Sequence, residues 1–120
     1  MKNATLVLGA SLKEDRYSNI FIHRLKEKNQ KVHAYGFREG FIAGIPVDVQ
    51  QKEYTDIDTV TLYLNPLRQE VFYNYVIGLQ PRRVIFNPGT ENKVFAKLLQ
   101  QNGIESEVAC TLVLLATQQY

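Results

Sequence analysis

Cysteine, histidine and tryptophan are nearly absent: the 120 residues include one Cys, two His and no Trp. A single cysteine rules out an internal disulfide and points to a reducing compartment. One Cys with two His is also too few for a Cys/His zinc site. Charge of one sign is scarce, since 14 Lys+Arg against 12 Asp+Glu leave +2. That excess is too small to imply a nucleic-acid partner, and the basic residues are scattered among acids. No apolar run approaches the roughly 20 residues that span a bilayer. The opening stretch through Gly9 carries one basic residue and a short apolar run, which is not the pattern of a secretory leader. There is no linker, repeat or low-complexity segment. What is present, 45% hydrophobic and 22% charged residues, matches a soluble globular chain and opposes disorder. The length allows one core, so residues 1–120 are expected to form a single cytoplasmic domain.

Short β-rich runs alternate with helical patterns, as in an open α/β sheet. Ala4–Leu8 reads as a buried first strand stopped by Gly9. After a polar loop, Ile20, Phe21 and Leu25 share the face of a helix over 18–26 whose start Ser18 or Asp15 would cap. Asn29 would stop it, and Lys31–Tyr35 follows as the second strand. Between 36 and 56 no strong helix is visible, and Ile45-Pro46-Val47 reads as a short strand or a turn. Thr59–Leu64 is the third strand, ended by Asn65-Pro66. Val71, Phe72, Tyr75, Val76 and Leu79 then form an amphipathic stripe ended by Pro81. Arg83–Phe86 is the fourth strand. Val94, Phe95, Leu98 and Leu99 mark another helix, with Gly103 as its C-terminal cap. Glu105–Cys110 would be the fifth strand, leaving 111–120 as an apolar tail. The expectation is a Rossmann-like three-layer fold with a five-stranded, mainly parallel sheet in the order 3-2-1-4-5. Ligand would bind at the carboxyl ends of strands 1 and 4.

In such a sheet, chemistry sits where strands end. The first bend, Gly9-Ala10-Ser11, is expected to aim its peptide N–H dipoles at a diphosphate, with Ser11, Arg16 and Ser18 adding hydrogen bonds and charge. A glycine there serves equally well as a simple turn. The loop lacks the further glycines of GxGxxG, and no P-loop motif occurs. The exit of strand 2 offers no carboxylate before Glu39, unlike an NAD site. Arg38 instead suits a phosphorylated ribose, or simply solvent.

These stretches together carry a resemblance. Gly9-Ala10-Ser11, Arg16-Tyr17-Ser18-Asn19, Gly44-Ile45-Pro46-Val47, Asp56–Val60, Asn87-Pro88-Gly89-Thr90-Glu91-Asn92 and Cys110 occur in the order and at the spacing of small bacterial CoA-binding proteins. Those are stand-alone Rossmann domains similar to the CoA-binding domain of succinyl-CoA synthetase α-chains. The resemblance covers almost the whole chain. It implies coenzyme A or an acyl-CoA at the carboxyl edge, with phosphate on Gly9, Ser11, Arg16, Tyr17 and Ser18 and Ala10 also in the cofactor site. Arg38 would lie near the adenosine end, Asn65 and Pro66 beside adenine or ribose, and Asn87, Pro88 and Gly89 along the pantetheine. Gly36-Phe37-Arg38-Glu39 departs from the Asn-Pro pattern of relatives, and Asn65-Pro66 from their basic-rich stretch.

Cys110 reads as a small buried residue near a strand end, or as a thiol able to form a mixed disulfide with CoA. No histidine is placed to activate it as a nucleophile. The paired acids Asp56/Asp58 and Glu14/Asp15 read as turn and capping groups. The expected function is therefore non-catalytic binding of a small nucleotide cofactor, with no nucleic-acid or membrane partner. Two alternatives stay open: an NADP-type oxidoreductase subunit using Arg38, and a protein-interaction module with a vestigial cleft. The tail Leu112-Val113-Leu114-Leu115 could cover its own sheet, a second copy or a larger acyl-CoA enzyme.

Overall fold

A computed structural model describes residues 2–120. The chain runs β1 Ala4–Leu8, α1 Tyr17–Glu27, β2 Val32–Tyr35, β3 Phe41–Ile42, β4 Ile45–Asp48, β5 Ile57–Leu62, α2 Pro66–Gln69, a 3-10 turn Glu70–Phe72, α3 Tyr73–Leu79, β6 Arg83–Phe86, α4 Lys93–Gln101, β7 Glu105–Val108 and α5 Thr111–Ala116. The strands form one seven-stranded sheet in the order β3-β4-β2-β1-β5-β6-β7. Every pair is parallel except β3 with β4.

The expected five strands become seven, with Phe41–Ile42 and Ile45–Asp48 added, and their order is corrected too. The run at 57–62, counted third from the sequence, pairs with β1 on the side away from β2, Thr5 lying opposite Thr59 and Leu8 opposite Leu62. The place outside β2 belongs to Ile45–Asp48, with Ala34 opposite Val47 and Tyr35 opposite Asp48. Pro46 is tolerated because this strand is short and lies near the edge of the sheet, where a missing N–H costs little. Ala43 (φ 51°) and Gly44 (φ 79°) turn the chain between β3 and β4, the two-residue hairpin geometry that needs positive φ at both central positions. With Ile45–Asp48 counted as a strand, two halves wind outward from β1 and β5, and the switch of direction falls between them.

Both faces of the sheet are covered. Leu6, Leu8, Val60, Leu62 and Phe86 pack on one side against Phe72, Val76, Phe95 and Leu99. On the other, Val7, Ala34 and Val47 meet Phe21, Ile22 and Leu25 of α1 and Leu115 of α5. This alternation along β1 is why all five of its residues are buried. The expected stripes are also corrected. Val71 (76% exposed) and Val94 (70%) face outward, because the 3-10 turn rephases the helix before Tyr73 and Val94 lies on the outer side of α4. The final strand stops at Val108, and the supposed tail forms α5, whose Leu112 packs with Tyr120 against the second core. Neither Ser18 nor Asp15 caps α1; Arg16 holds the N-cap position. Among the described residues, no helix is long and apolar enough to cross a membrane.

Candidate functional site

The carboxyl ends of β1, β2 and β5 meet around the first bend. Gly9 (φ 101°) takes a backbone conformation that side chains avoid, and a Cβ there would lie 3.0 Å from Leu64 Cδ2. At the exit of β2, a Cβ on Gly36 would collide with the carbonyl oxygen of Ala10. Glycine at both positions lets three strand ends close on one another. Above them opens a cleft of about 800 Å³.

The bend does not present its amides as expected. Gly9 N–H and Ala10 N–H both donate to the carbonyl of Tyr35, at 2.9 and 2.8 Å. Ser11 N–H donates to Ser18 Oγ at 3.1 Å. These donors continue the hydrogen bonding of β1 to β2 and tie the bend to α1, so they are taken up inside the protein. The anion-binding capacity lies one step further along the chain. Arg16, at the N-cap of α1, makes no side-chain cap bond, and no acid occupies the first turn. Arg16, Tyr17 and Ser18 line the cleft, so the uncapped, positive end of an 11-residue helix lies at its wall. The hydroxyls of Ser11 and Ser18 each accept one amide, from Lys13 and Ser11 respectively, and each keeps its own O–H to donate. Asn19, buried beneath them, donates Nδ2 to the carbonyl of Ser11 at 2.9 Å and fixes the bend.

Lys13, Arg16, Arg38 and Arg68 line the cleft, and no carboxylate does. Such a lining creates a positive field that concentrates anions. Of the residues expected at the site, Gly9, Ala10, Ser11, Arg16, Tyr17, Ser18, Arg38, Asn65 and Pro88 lie on it. Pro66, Asn87 and Gly89 do not. Pro66 opens α2, where its fixed φ suits the first helical position. Gly89 N–H donates to Glu91 Oε1. Asn87 is buried and fully engaged: Nδ2 donates to Thr61 Oγ1 and Leu62 O, and Oδ1 accepts from Thr111 N–H and its hydroxyl. It ties β5 and β6 to the start of α5. Tyr63, whose hydroxyl joins this network through Thr111, reaches the cleft wall; burial is the largest influence on its phenol and pushes its pKa up.

Sequence reasoning missed Lys13, Phe37 and Arg68. Asn65-Pro66 was a signal for the last of these. Asn65 Oδ1 accepts the Arg68 N–H at 3.1 Å, an N-cap followed by proline that turns Arg68 back over the strand end. Cys110 is half-buried at the N-cap of α5 and is not part of the cleft lining.

Residues 3–116 match the model of the CoA binding domain family. The chain belongs to that family. Membership agrees with an anion-seeking cleft at the carboxyl edge. Solved structures are similar as well. One, described as an uncharacterized protein, has 39% identity and a TM-score of 0.95, covering 100% of this chain and 99% of its own. A Thermus thermophilus protein, cell-free ID.343, has 20% identity and a TM-score of 0.84 over 99% of this chain and 91% of its own. Aspartate dehydrogenase from Thermotoga maritima, at 12% identity and TM-score 0.61, covers 95% of this chain and 50% of its own. The last two show the fold alone, a Rossmann-like α/β arrangement around a mostly parallel sheet. No curated protein matches the chain significantly.

Proposed function

We propose that this protein binds coenzyme A or an acyl-CoA in the cleft at the carboxyl edge, acting as a binding protein rather than a catalyst. The observation that carries the reading is a lining with four cations and no carboxylate, set at an uncapped helix N-terminus in a chain of the CoA-binding family. The diphosphate would sit at the first turn of α1, held by its amides, the hydroxyls of Ser11 and Ser18, and Arg16. It would not rest on the amides of Gly9 and Ala10, which serve Tyr35. Arg38 would face the adenosine end, with Asn65 beside it and Pro88 bordering the pantetheine.

Arg38 on the wall, with no acid among the described lining residues to hold a free ribose, also suits a phosphorylated ribose in NADP. Thermal shift against CoA, acetyl-CoA, NADP and ATP separates the readings. A ligand that binds only the native state, at about 100 times its Kd, adds ~2.7 kcal/mol. For a chain of this size that is a rise in Tm on the order of 10 °C. A selective rise with CoA or acetyl-CoA is expected. A rise with NADP alone would transfer the site to the oxidoreductase reading, and no rise with any of the four would leave a protein-interaction module.

A further inference from the structure

Two loops that flank β1 from opposite sides touch above it. Phe37 follows β2 and Arg68 lies in α2 beyond β5, and β2 and β5 are the two neighbours of β1 in the sheet. The guanidinium carbon of Arg68 nevertheless stands 5.3 Å from the centroid of the Phe37 ring, within cation–π range. Both residues line the cleft, so their contact joins the walls supplied by the exits of β2 and β5. Neither belongs to a core. Phe37 is 55% exposed, and Arg68 is exposed with no ion pair among the described residues. An exposed aromatic ring with the guanidinium carbon of an unpaired cation over it is a weak contact in water, and parting them disturbs no packing.

We propose that Phe37 and Arg68 are the two jaws of a clasp that opens to take the planar base of a nucleotide between them. The inference rests on the CoA reading and extends it to residues that fix the base. A base stacked on both faces needs about 3.5 Å on each side, or about 7 Å between ring and guanidinium. The present spacing is therefore closed, and the jaws must part by roughly 2 Å. Arg68 supplies this movement, because its long side chain swings while Asn65 holds its backbone. Both faces of the base are then covered, one by a π-surface and one by a delocalised cation, a pairing that an ammonium does not reproduce.

The chain contains no tryptophan, so Phe37→Trp places a single indole at the jaw. Its emission is followed with CoA, adenosine 3′,5′-bisphosphate, pantetheine and inorganic pyrophosphate, beside thermal shift of each pair. Saturable quenching by CoA and by the bisphosphate is expected, with none from pantetheine or pyrophosphate. In the unsubstituted background, Phe37→Ala and Arg68→Gln should each weaken the bisphosphate about tenfold while leaving the ligand-free Tm unchanged, and Arg68→Lys should fail to restore it. Quenching by pyrophosphate to the same extent would mean that Arg68 leaves the ring for phosphate, and would overturn the clasp. So would a CoA-induced rise in Tm with no change in emission, which leaves the CoA reading standing. No rise with CoA in the unsubstituted protein would overturn both.

Discussion

Apart from the Lys52–Asp48 pair at the end of β4, the two ends of the sheet treat charge in opposite ways. At the amino ends of β2, β5 and β6, Lys31, Arg82 and Arg83 each have an acidic partner. Lys31 and His33 meet Asp56 at 2.5 and 3.2 Å, Arg82 forms two hydrogen bonds to Asp58, and Arg83 reaches Glu107 at 3.2 Å. At the carboxyl edge, Lys13, Arg16, Arg38 and Arg68 make no ion pair among the described residues. Charges that serve the fold are neutralised within the chain. Those around the cleft are left for something outside it. Gly36 is where the two ends of β2 can be told apart: the strand begins among ion pairs and finishes pressed against the floor of the cleft.

The largest way to break the contrast is therefore Gly36→Ala. The added methyl meets the Ala10 carbonyl, a backbone atom that no rotamer change can move, so the first bend must shift. A loss of about 2–3 kcal/mol is expected in denaturant unfolding, together with ligand binding, although no residue that touches ligand has been altered. Unchanged stability would show the floor to be more yielding than the glycine implies. A sharper comparison sets Arg16→Ala beside Asp58→Asn. The first should weaken CoA by roughly 10- to 100-fold with no change in the ligand-free Tm. The second should cost about 1 kcal/mol of stability and leave affinity alone. Reversal of either result would erase the distinction between the two ends.

Acid should act on the paired groups. Burial pushes the carboxyls of Asp48, Asp56 and Asp58 up, but hydrogen bonds and charges from Lys52 and Tyr54, from Lys31 and His33, and from Arg82 and Thr59 together outweigh it and hold all three below the ordinary 3.8. A group whose pKa is lower in the folded state contributes stability that is complete above its unfolded value and fades as pH falls through its folded one. Stability measured by urea unfolding should thus decline from about pH 4 downward, and Asp56→Asn should flatten that decline. A profile that keeps its slope in this variant would remove Asp56 from the account. The smallest effect is expected at the β3–β4 turn: Ala43→Gly relieves a non-glycine φ of 51° and should stabilise by about 0.5–1 kcal/mol.

Much of the sheet was legible because buried parallel strands are continuous apolar runs, and 4–8, 31–35 and 83–86 stand out from their polar borders. Ile45–Asp48 was ambiguous for a non-local reason. Its proline and flanking glycines are those of a turn, and it becomes a strand only because β2 offers it an edge. Once it counts, the strand at 57–62 moves to the far side of β1. Val71 misled because helical periodicity presumes one unbroken helix, and the 3-10 turn at Glu70–Phe72 resets the phase. At the site, glycine, serine and arginine around the first bend were readable as strand-end chemistry. The amides were misjudged because their acceptor, the Tyr35 carbonyl, lies 25 or more residues away along the chain. Asn87 looked like a loop residue, since all four of its side-chain bonds run to residues at 61, 62 and 111. The Arg68–Phe37 contact likewise joins residues that no local pattern relates.

The paired hydrogen bonds from Gly9 and Ala10 to the single Tyr35 carbonyl have a kinetic consequence. A loop already locked before any visitor arrives surrenders little conformational freedom on complexation, while the aromatic lip above it stays loose. Arrival should accordingly be timed by the opening of the lip and residence by every contact then made, so that Phe37→Ala should not slow a guest's entry and, like Arg16→Ala, should shorten its stay.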